Sequence, residues 1–349
     1  MKHQSDILAL KYRPTDFKDL IGQEYLVETI QKSIELNKIP NAYIFTGIRG
    51  VGKTTTARIV AKMLNCTTFD QNNKIDLNNC DQAKAISEDR HPDVIEIDAA
   101  SNTSVENARE IIENVKYNPV LGKFKVYIID EVHMLSKSAF NALLKTLEEP
   151  PPHSKFIFAT TEISKVPVTI LSRCQRFDLR RIEKKTLFTF LEEISKKENI
   201  SISKEALNLI VRASDGSVRD SLSILDQSNI FKSQEEIQVE EVVNMLGFAK
   251  QSDLYNLSKF ILENNLPEII KMLDDMYQRG SETSKIIEDM MNIVNWSCKL
   301  KIDKNLINDE FNTEEDNQFA SYVTQYDHGK LNIFWQSLMK GYDEIKISP

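Results

Sequence analysis

The sharpest chemical pattern in the sequence is a glycine-rich segment that ends in a lysine and a threonine. It fits the form Gly-x-x-x-x-Gly-Lys-Ser/Thr at every fixed position. In such a loop the backbone N–H groups surround a polyphosphate, the lysine reaches the outer phosphates and the hydroxyl binds Mg²⁺. A chance match in a glycine-rich turn is the alternative. We predict a nucleotide site that comprises Gly47, Ile48, Arg49, Gly50, Val51, Gly52, Lys53, Thr54 and Thr55.

A second pattern is a pair of carboxylates that directly follows an apolar strand. The segment 126–129 is apolar, and Asp130 and Glu131 come next in the chain. A carboxylate at this position can hold Mg²⁺, and its neighbour can orient or deprotonate an attacking water. An acidic cap between a strand and a helix is the alternative, which the phosphate loop disfavours. We assign Asp130, with Thr54, to the metal and Glu131 to the water.

Two further polar positions fit a phosphate site. Thr160 and Thr161 follow another apolar segment, and their hydroxyls can bind a γ-phosphate or its attacking water, although threonines also end strands for ordinary reasons. The segment 215–217 interrupts the helical pattern. Arg219 follows this interruption and so falls in the first turn of the next helix. Because a cation opposes the helix dipole there, its position favours an anionic partner.

The elements that must position these residues alternate between strands and helices in the first half of the chain. This alternation predicts a three-layer α/β fold with a mostly parallel sheet, whose ligands lie outside the carboxyl ends of the strands. From Lys184 onward the pattern is purely helical. We expect an α/β domain at 1–182, a small helical domain at 183–236 and a further helical domain at 237–349.

Composition narrows the class of protein. The 349 residues carry 44 Lys and Arg against 52 Asp and Glu, a formal charge of -8, so any DNA contact must be local. No segment has the length of a membrane span and none reads as a secretory signal, which predicts a cytoplasmic protein without a membrane partner. The four cysteines are too few and too scattered for a disulfide framework.

Several motifs together resemble those of one family, and the resemblance covers nearly the whole chain. The sequence is similar to AAA+ ATPases and, within them, to the gamma/tau family of bacterial DNA polymerase III clamp loaders. The motifs that carry it are Lys11-Tyr12-Arg13-Pro14, Gly22-Gln23-Glu24, the segment 46–54, Asp98-Ala99-Ala100-Ser101, the segment 130–135, the segment 147–151 and Ser172-Arg173-Cys174.

The resemblance implies an AAA+ domain, a helical lid and a helical oligomerisation collar. It implies a Mg²⁺-dependent ATPase that loads a sliding clamp onto primer-template DNA during replication. The implied partners are delta, delta-prime and further gamma/tau copies in a hetero-oligomer, and the polymerase III core if a longer form exists. DNA-directed DNA polymerase activity, a nucleotidyl transfer, would belong only to the holoenzyme.

The resemblance also implies roles for individual residues. Thr161 resembles the first sensor, Arg219 the second sensor of the same subunit, and Arg173 the finger that reaches the ATP of a neighbour. A surface arginine is the alternative for Arg173. Leu20 and Ile21 resemble the residues beside the adenine. For DNA, the basic candidates on the inner helices are Arg109, Lys116 and Lys145, and a solvated charge is the first alternative for each.

One departure from the family concerns zinc. Relatives usually carry four cysteines after the first helix, but here Cys66 and Cys80 align with two of them while Leu77 and Ala83 stand in place of the others. Structural zinc sites use four nitrogen or sulfur ligands, and His91 lies beyond the expected frame. We predict that no zinc binds. His133, after Asp130-Glu131, is likewise not a ligand in the family pattern.

Two other functions compete with a clamp-loader motor. One is a different AAA+ DNA motor, such as a branch-migration helicase. The other is a non-hydrolysing scaffold like delta-prime, which the presence of Lys53, Thr54 and Glu131 disfavours. The chain ends without the polymerase-tethering extension of the longer family form, and so we expect a short form or a fragment.

Overall fold

A five-stranded parallel sheet lies at the centre of the first part of the chain. The computed structural model describes residues 7–68, 75–101, 103, 105–231, 235–246, 251–303 and 314–347. The order across the sheet is β2-β3-β4-β1-β5. The strands are β1 (Ala42–Thr46), β2 (Val94–Asp98), β3 (Lys125–Asp130), β4 (Ser154–Thr160) and β5 (Gln175–Asp178).

Helices account for most of the remaining described residues. Those before the end of the sheet are α1 (Leu8–Lys11), α2 (Glu24–Glu35), α3 (Lys53–Asn65), α4 (Asp81–Ser87), α5 (Val105–Val115), α6 (Lys137–Glu148) and α7 (Val168–Leu171). Single 3-10 turns occupy Phe17–Asp19, Val132–Met134 and Ile163–Lys165. Those after it are α8 (Lys184–Lys197), α9 (Lys204–Ala213), α10 (Val218–Phe231), α11 (Val239–Leu246), α12 (Gln251–Leu262), α13 (Leu266–Gln278), α14 (Thr283–Ile302), α15 (Glu314–Val323) and α16 (His328–Ile347).

The sheet is covered on both faces, which explains its continuous apolar strands. Successive side chains of a strand point to opposite faces, so Tyr43 and Phe45 enter one core while Ala42 and Ile44 enter the other. The first core includes side chains of α2, α3 and α4, and the second includes side chains of α5, α6 and α7. The predicted three-layer α/β arrangement is therefore confirmed, as is the change to helices after β5.

Strand register brings the polar strand ends to one edge of the sheet. Thr46 of β1 pairs with Thr160 of β4, and Asp98 of β2 pairs with Asp130 of β3. Because all strands run parallel, their carboxyl ends meet on the same side. The phosphate loop follows β1 on this side, and so the predicted residues at the ends of β3 and β4 lie at the same edge of the sheet as the loop.

The chain divides into two compact units. The first comprises residues 1–199 and 210–227, and the second comprises 200–209 and 228–349. The second unit has its own apolar core, built from side chains of α12 to α16 such as Leu257, Met290 and Phe319. None of the described helices combines the length and apolar character needed to cross a membrane.

A buried carboxylate fixes the loop that leads into β3. The side chain of Asp93 is 1% exposed and accepts hydrogen bonds from the N–H groups of Val120, Leu121 and Gly122 at 2.7, 2.7 and 2.8 Å. Burial alone disfavours the charged form, but these bonds outweigh it and lower the pKa of Asp93.

We expect Asp93→Asn to lower the free energy of unfolding by about 3 kcal/mol, because an amide cannot accept all three bonds. The contribution of Asp93 should be present above pH ~4, the ordinary pKa of aspartate, and be lost as the pH falls through its lowered native pKa. Urea denaturation followed by circular dichroism at pH 7 and pH 3 measures both effects. Asp81→Asn, at a fully exposed aspartate, is the control and should change stability by less than ~0.5 kcal/mol. A similar loss in both variants would contradict this role.

Candidate nucleotide site

The glycine-rich loop takes backbone conformations that require glycine. Gly50 has φ +75° and Gly52 has φ +102°, both in the left-handed region. A Cβ at Gly50 would lie 2.0 Å from Ser217 Oγ, so only glycine fits against the start of α10. Gly52 directly precedes Lys53, the first residue of α3. The N-terminus of α3 therefore lies at the end of the loop.

Lys53 is buried at the start of α3, with 5% of the residue exposed. Its Nζ donates a hydrogen bond of 2.9 Å to the carbonyl of Ile48 across the loop. Burial lowers the pKa of Lys53, and the carboxylates of Glu131 and Asp130 oppose this shift. The ammonium is thus held within the loop, close to two acidic groups. Among the other residues of the predicted nucleotide site, Val51 is buried and Arg49 is exposed. Gly47 and Thr55 are half-buried.

The hydroxyl of Thr54 meets the carboxylate of Asp130. Thr54 Oγ1 donates a hydrogen bond of 2.6 Å to Asp130 Oδ2. Hydroxyl and carboxylate oxygens are the hard ligands that Mg²⁺ takes, usually together with water and substrate phosphate oxygens. The predicted metal pair is therefore brought together, and its donor set fits magnesium.

Glu131 is held by the end of β4. Its Oε2 accepts hydrogen bonds from both the N–H and the hydroxyl of Thr161, each at 3.0 Å. Glu131 itself has φ +44°, a left-handed conformation that is costly for a residue with a side chain and common at functional sites. Thr161 thus lies beside the predicted water-activating carboxylate.

Arg219 contacts the loop at Gly50. Its backbone N–H donates a hydrogen bond of 3.2 Å to the carbonyl of Gly50, and its side chain is exposed in the first turn of α10. Leu20 is buried, and its Cδ2 would lie 3.8 Å from a Cβ at Gly52, while Ile21 is half-buried. Arg219 and Leu20 thus border the same loop, at Gly50 and Gly52.

Arg173, which is predicted to act on ATP, makes its contacts away from the phosphate loop. Its guanidinium donates to the carbonyl of Thr169 at 2.7 Å and to the hydroxyl of Ser172 at 3.2 Å, and it forms an ion pair with Glu148. None of these partners belongs to the phosphate loop. Within one chain, Arg173 is therefore not part of the constellation around Lys53.

Two residues contact the site without a role predicted from the sequence. Arg13 donates from Nε to Thr55 Oγ1 at 3.3 Å, and burial, followed by repulsion from Arg58, lowers its pKa. Residue spacing does not single out Arg13, because it is 42 positions from its partner. The other is His133, whose Nδ1 lies 2.9 Å from Thr160 Oγ1.

The structure describes part of the segment between Cys66 and Cys80, where relatives usually carry a further zinc ligand. Cys66 and Cys80 are both buried, and burial raises the pKa of Cys66 to about 12. His91 already contacts Gln82 through Nε2 and the N–H of Asp93 through Nδ1. Among the described residues, no three His, Cys, Asp or Glu side chains could hold a metal together. Residues 69–74 lie outside the described part of the chain, and the absence of zinc stays a prediction.

Three family models match consecutive parts of the chain. Residues 22–183 match the model described as DNA polymerase III, delta subunit. Residues 187–241 match the ATPase lid domain of the DNA polymerase III clamp loader subunit, and 237–349 match domain III of the DNA polymerase III subunits gamma and tau.

Similar proteins cover the chain almost completely. The DNA polymerase III subunit gamma of Buchnera aphidicola from Schizaphis graminum is 39% identical over 98% of this chain and 94% of its own length. The tau subunit of Escherichia coli is 38% identical over 98% of this chain and 53% of its own length. The chain thus spans about half the length of that longer relative.

A solved structure shares the fold. The branch-migration motor RuvB of Thermotoga maritima has a TM-score of 0.51 and 16% identity, over 80% of this chain and 91% of its own. This likeness shows a shared fold and nothing more.

We expect Lys53→Ala to weaken the binding of ATP about 10- to 100-fold, because it removes a charge-assisted hydrogen bond to phosphate that contributes about 1.5–3 kcal/mol. Titration with a fluorescent ATP analogue measures the dissociation constant. Lys38→Ala, at an exposed lysine before β1, is the control and should bind ATP like the parent chain. Unchanged binding by Lys53→Ala would argue against a phosphate site in this loop.

Proposed function

The chain belongs to the gamma/tau family of DNA polymerase III subunits, and from this premise we propose that it is the ATP-hydrolysing motor of a clamp loader. In this role it binds ATP at subunit interfaces and uses hydrolysis to load a sliding clamp onto primed DNA. The observation that carries the proposal is the convergence of Lys53, the Thr54–Asp130 pair and the Glu131–Thr161 pair at one edge of the sheet.

The geometry supports a division of labour in hydrolysis. Lys53 and the N–H groups of the loop bind the outer phosphates, and Leu20 and Ile21 lie where the base would pack. Thr54 and Asp130 would hold Mg²⁺, which would neutralise charge on the phosphates. Glu131 orients the attacking water and accepts its proton, and the Thr161 hydroxyl fixes the position of that carboxylate. Arg219, at the start of α10, contributes a further cation.

Arg173 supplies the remaining cation to a neighbouring subunit. An arginine delivered in trans to the phosphates can accelerate hydrolysis about 10³- to 10⁵-fold. Its pairing with Glu148 keeps the guanidinium on the surface of its own chain, 32% exposed and available to a neighbour. Hydrolysis would then depend on assembly.

We assign an AAA+ domain to 1–182, a lid to 183–236 and an oligomerisation collar to 237–349. The boundaries of the three matching family models, 22–183, 187–241 and 237–349, support this division. The proposed partners are delta, delta-prime and further gamma/tau copies, the sliding clamp, and the polymerase core in a longer form. We place the protein in the cytoplasm and assign polymerase activity to the holoenzyme only.

Primer-template DNA would contact exposed basic side chains on the inner helices. Arg109 on α5, Lys116 just after it and Lys145 on α6 are all exposed. Side chains of α5 and α6 pack into the same core. The three cations therefore lie on or next to neighbouring helices. Such contacts bind the phosphate backbone and would make affinity depend on salt rather than on sequence.

A mixing experiment tests the shared active site. The Lys53→Ala chain lacks its own phosphate site but keeps the arginine, whereas the Arg173→Ala chain lacks the arginine but keeps its site. We expect each variant alone to lose about 10³-fold of the clamp- and DNA-stimulated ATPase rate. Their mixture should regain activity, because one chain completes the site of the other.

The control for this experiment is Arg176→Ala. Arg176 is another exposed arginine, three positions from Arg173, that pairs with Asp178, and its removal should leave the rate unchanged. Full ATPase activity of Arg173→Ala would contradict the proposal. An ATPase rate that is the same with and without the clamp would also contradict it.

An apolar stripe on α13 supports self-association of the collar. Its members recur at intervals of four, three and four residues, as on the contact face of paired helices, and are well exposed. They are Leu266, Ile270, Leu273 and Tyr277, with 66%, 61%, 38% and 74% of each residue exposed.

We expect Ile270→Lys to weaken self-association at least tenfold, because burying such a side chain contributes about 1.5–3 kcal/mol. The midpoint of thermal unfolding should not change, since the side chain is exposed within one chain. Sedimentation equilibrium measures the association constant. Ile302→Lys, at an 81% exposed isoleucine on α14, is the matched control. Equal association of both variants would show that the stripe is not the contact.

A further inference from the structure

His133 is buried beside the predicted base, although the family pattern gives it no role as a ligand. It lies in the 3-10 turn Val132–Met134, directly after Asp130 and Glu131, and its side chain is 6% exposed. A polar side chain that is nearly fully buried must find hydrogen-bond partners or lose stability. The partners of His133 therefore indicate what the residue does.

The imidazole ring lies between the turn after β3 and the end of β4. Its Nδ1 lies 2.9 Å from Thr160 Oγ1 and 3.3 Å from Glu131 Oε2. Its Nε2 lies 3.5 Å from Glu162 Oε1. The ring thus contacts the base and also both residues that flank Thr161 in the chain.

The neighbours of the two ring nitrogens show what a proton on Nδ1 would bind. A carboxylate oxygen only accepts, so Nδ1, which lies 3.3 Å from Glu131 Oε2, can bind it only when Nδ1 carries a proton. Nε2 lies farther from a carboxylate, at 3.5 Å from Glu162 Oε1. The hydroxyl oxygen of Thr160 already accepts the N–H of Glu162 at 3.0 Å, and its second lone pair can accept from the same ring N–H. An N–H at Nδ1 would therefore be shared between Thr160 and Glu131.

These contacts all fall on one oxygen of the base. Glu131 Oε2 faces His133 and accepts both bonds from Thr161. Among the residues that the structure describes, no hydrogen bond or ion pair reaches Oε1 of Glu131. The carboxylate is anchored through Oε2, which leaves Oε1 to meet a water.

We propose that His133 is a positioning residue for Glu131, which ties Oε2 of the base to the end of β4 through its Nδ1–H. This inference rests on the proposed ATPase function and adds a residue to that site. His133 itself does not contact the substrate. Because misplacing a reacting group by about 1 Å can cost 10²-fold in rate, loss of this anchor should slow hydrolysis without weakening ATP binding.

Two amide variants separate positioning from packing. In His133→Asn the side-chain amide can occupy the place of Nδ1, whereas in His133→Gln it reaches toward the place of Nε2. We expect His133→Gln to lower kcat for ATP hydrolysis about 10- to 100-fold. His133→Asn should stay within about threefold of the parent chain, and KM should change by less than about twofold in both. Equal loss or equal retention of kcat, or a matching change in KM, would overturn the proposal.

A second measurement does not depend on hydrolysis. The chain has five histidines, and ¹⁵N-histidine NMR of the full chain reports which ring nitrogen is protonated, with His133 assigned by its absence from the His133→Asn spectrum. We expect the Nδ1–H form, and the Nε2–H form would overturn the anchor. If the assembled parent chain binds ATP but never hydrolyses it, the proposed function fails, while the spectrum still decides the contact.

Discussion

The register of the parallel sheet is the constraint on which the site depends. β1 lies between β4 and β5, and β4 separates it from β3. Phe45 of β1 pairs with Ala159 of β4, and Ile129 of β3 pairs with Phe158 of the same strand. A shift by one residue in either pairing would move the strand end by over 3 Å and turn its side chains to the other face. The Thr54–Asp130 bond and the Glu131–Thr161 bonds could not then both form.

The energetics of the site differ from those of the sheet beneath it. The strands bury apolar side chains on both faces, which is the main stabilising contribution. At the carboxyl edge the chain instead holds a buried ammonium at Lys53, a left-handed glutamate at Glu131 and a loop in which Gly50 meets Ser217. Such features cost free energy and persist because the rigid sheet determines them. Stability of the sheet thus supports preorganisation of the site.

The proposed function divides the catalytic groups between two chains. Lys53, Asp130 and Glu131 converge within one chain, whereas Arg173 is held by Glu148 on the surface. An exposed ion pair contributes little to stability, about 0–1 kcal/mol, so exchanging Glu148 for the phosphates of a neighbour costs little. This weak pairing is compatible with an arginine that changes partners when subunits assemble.

The sequence by itself determined the fold class and predicted the main members of the proposed site. The phosphate loop and the carboxylates at 130 and 131 follow apolar strands, and both the strand pattern and the loop conformation are local properties of the chain. The Arg13–Thr55 contact, the His133 anchor and the Arg173–Glu148 pair were decided only by tertiary structure. Their partners lie 42, 27 and 25 positions away, at distances set by strand register and loop packing. No spacing rule relates such residues, because their separation along the chain has no fixed relation to their separation in space.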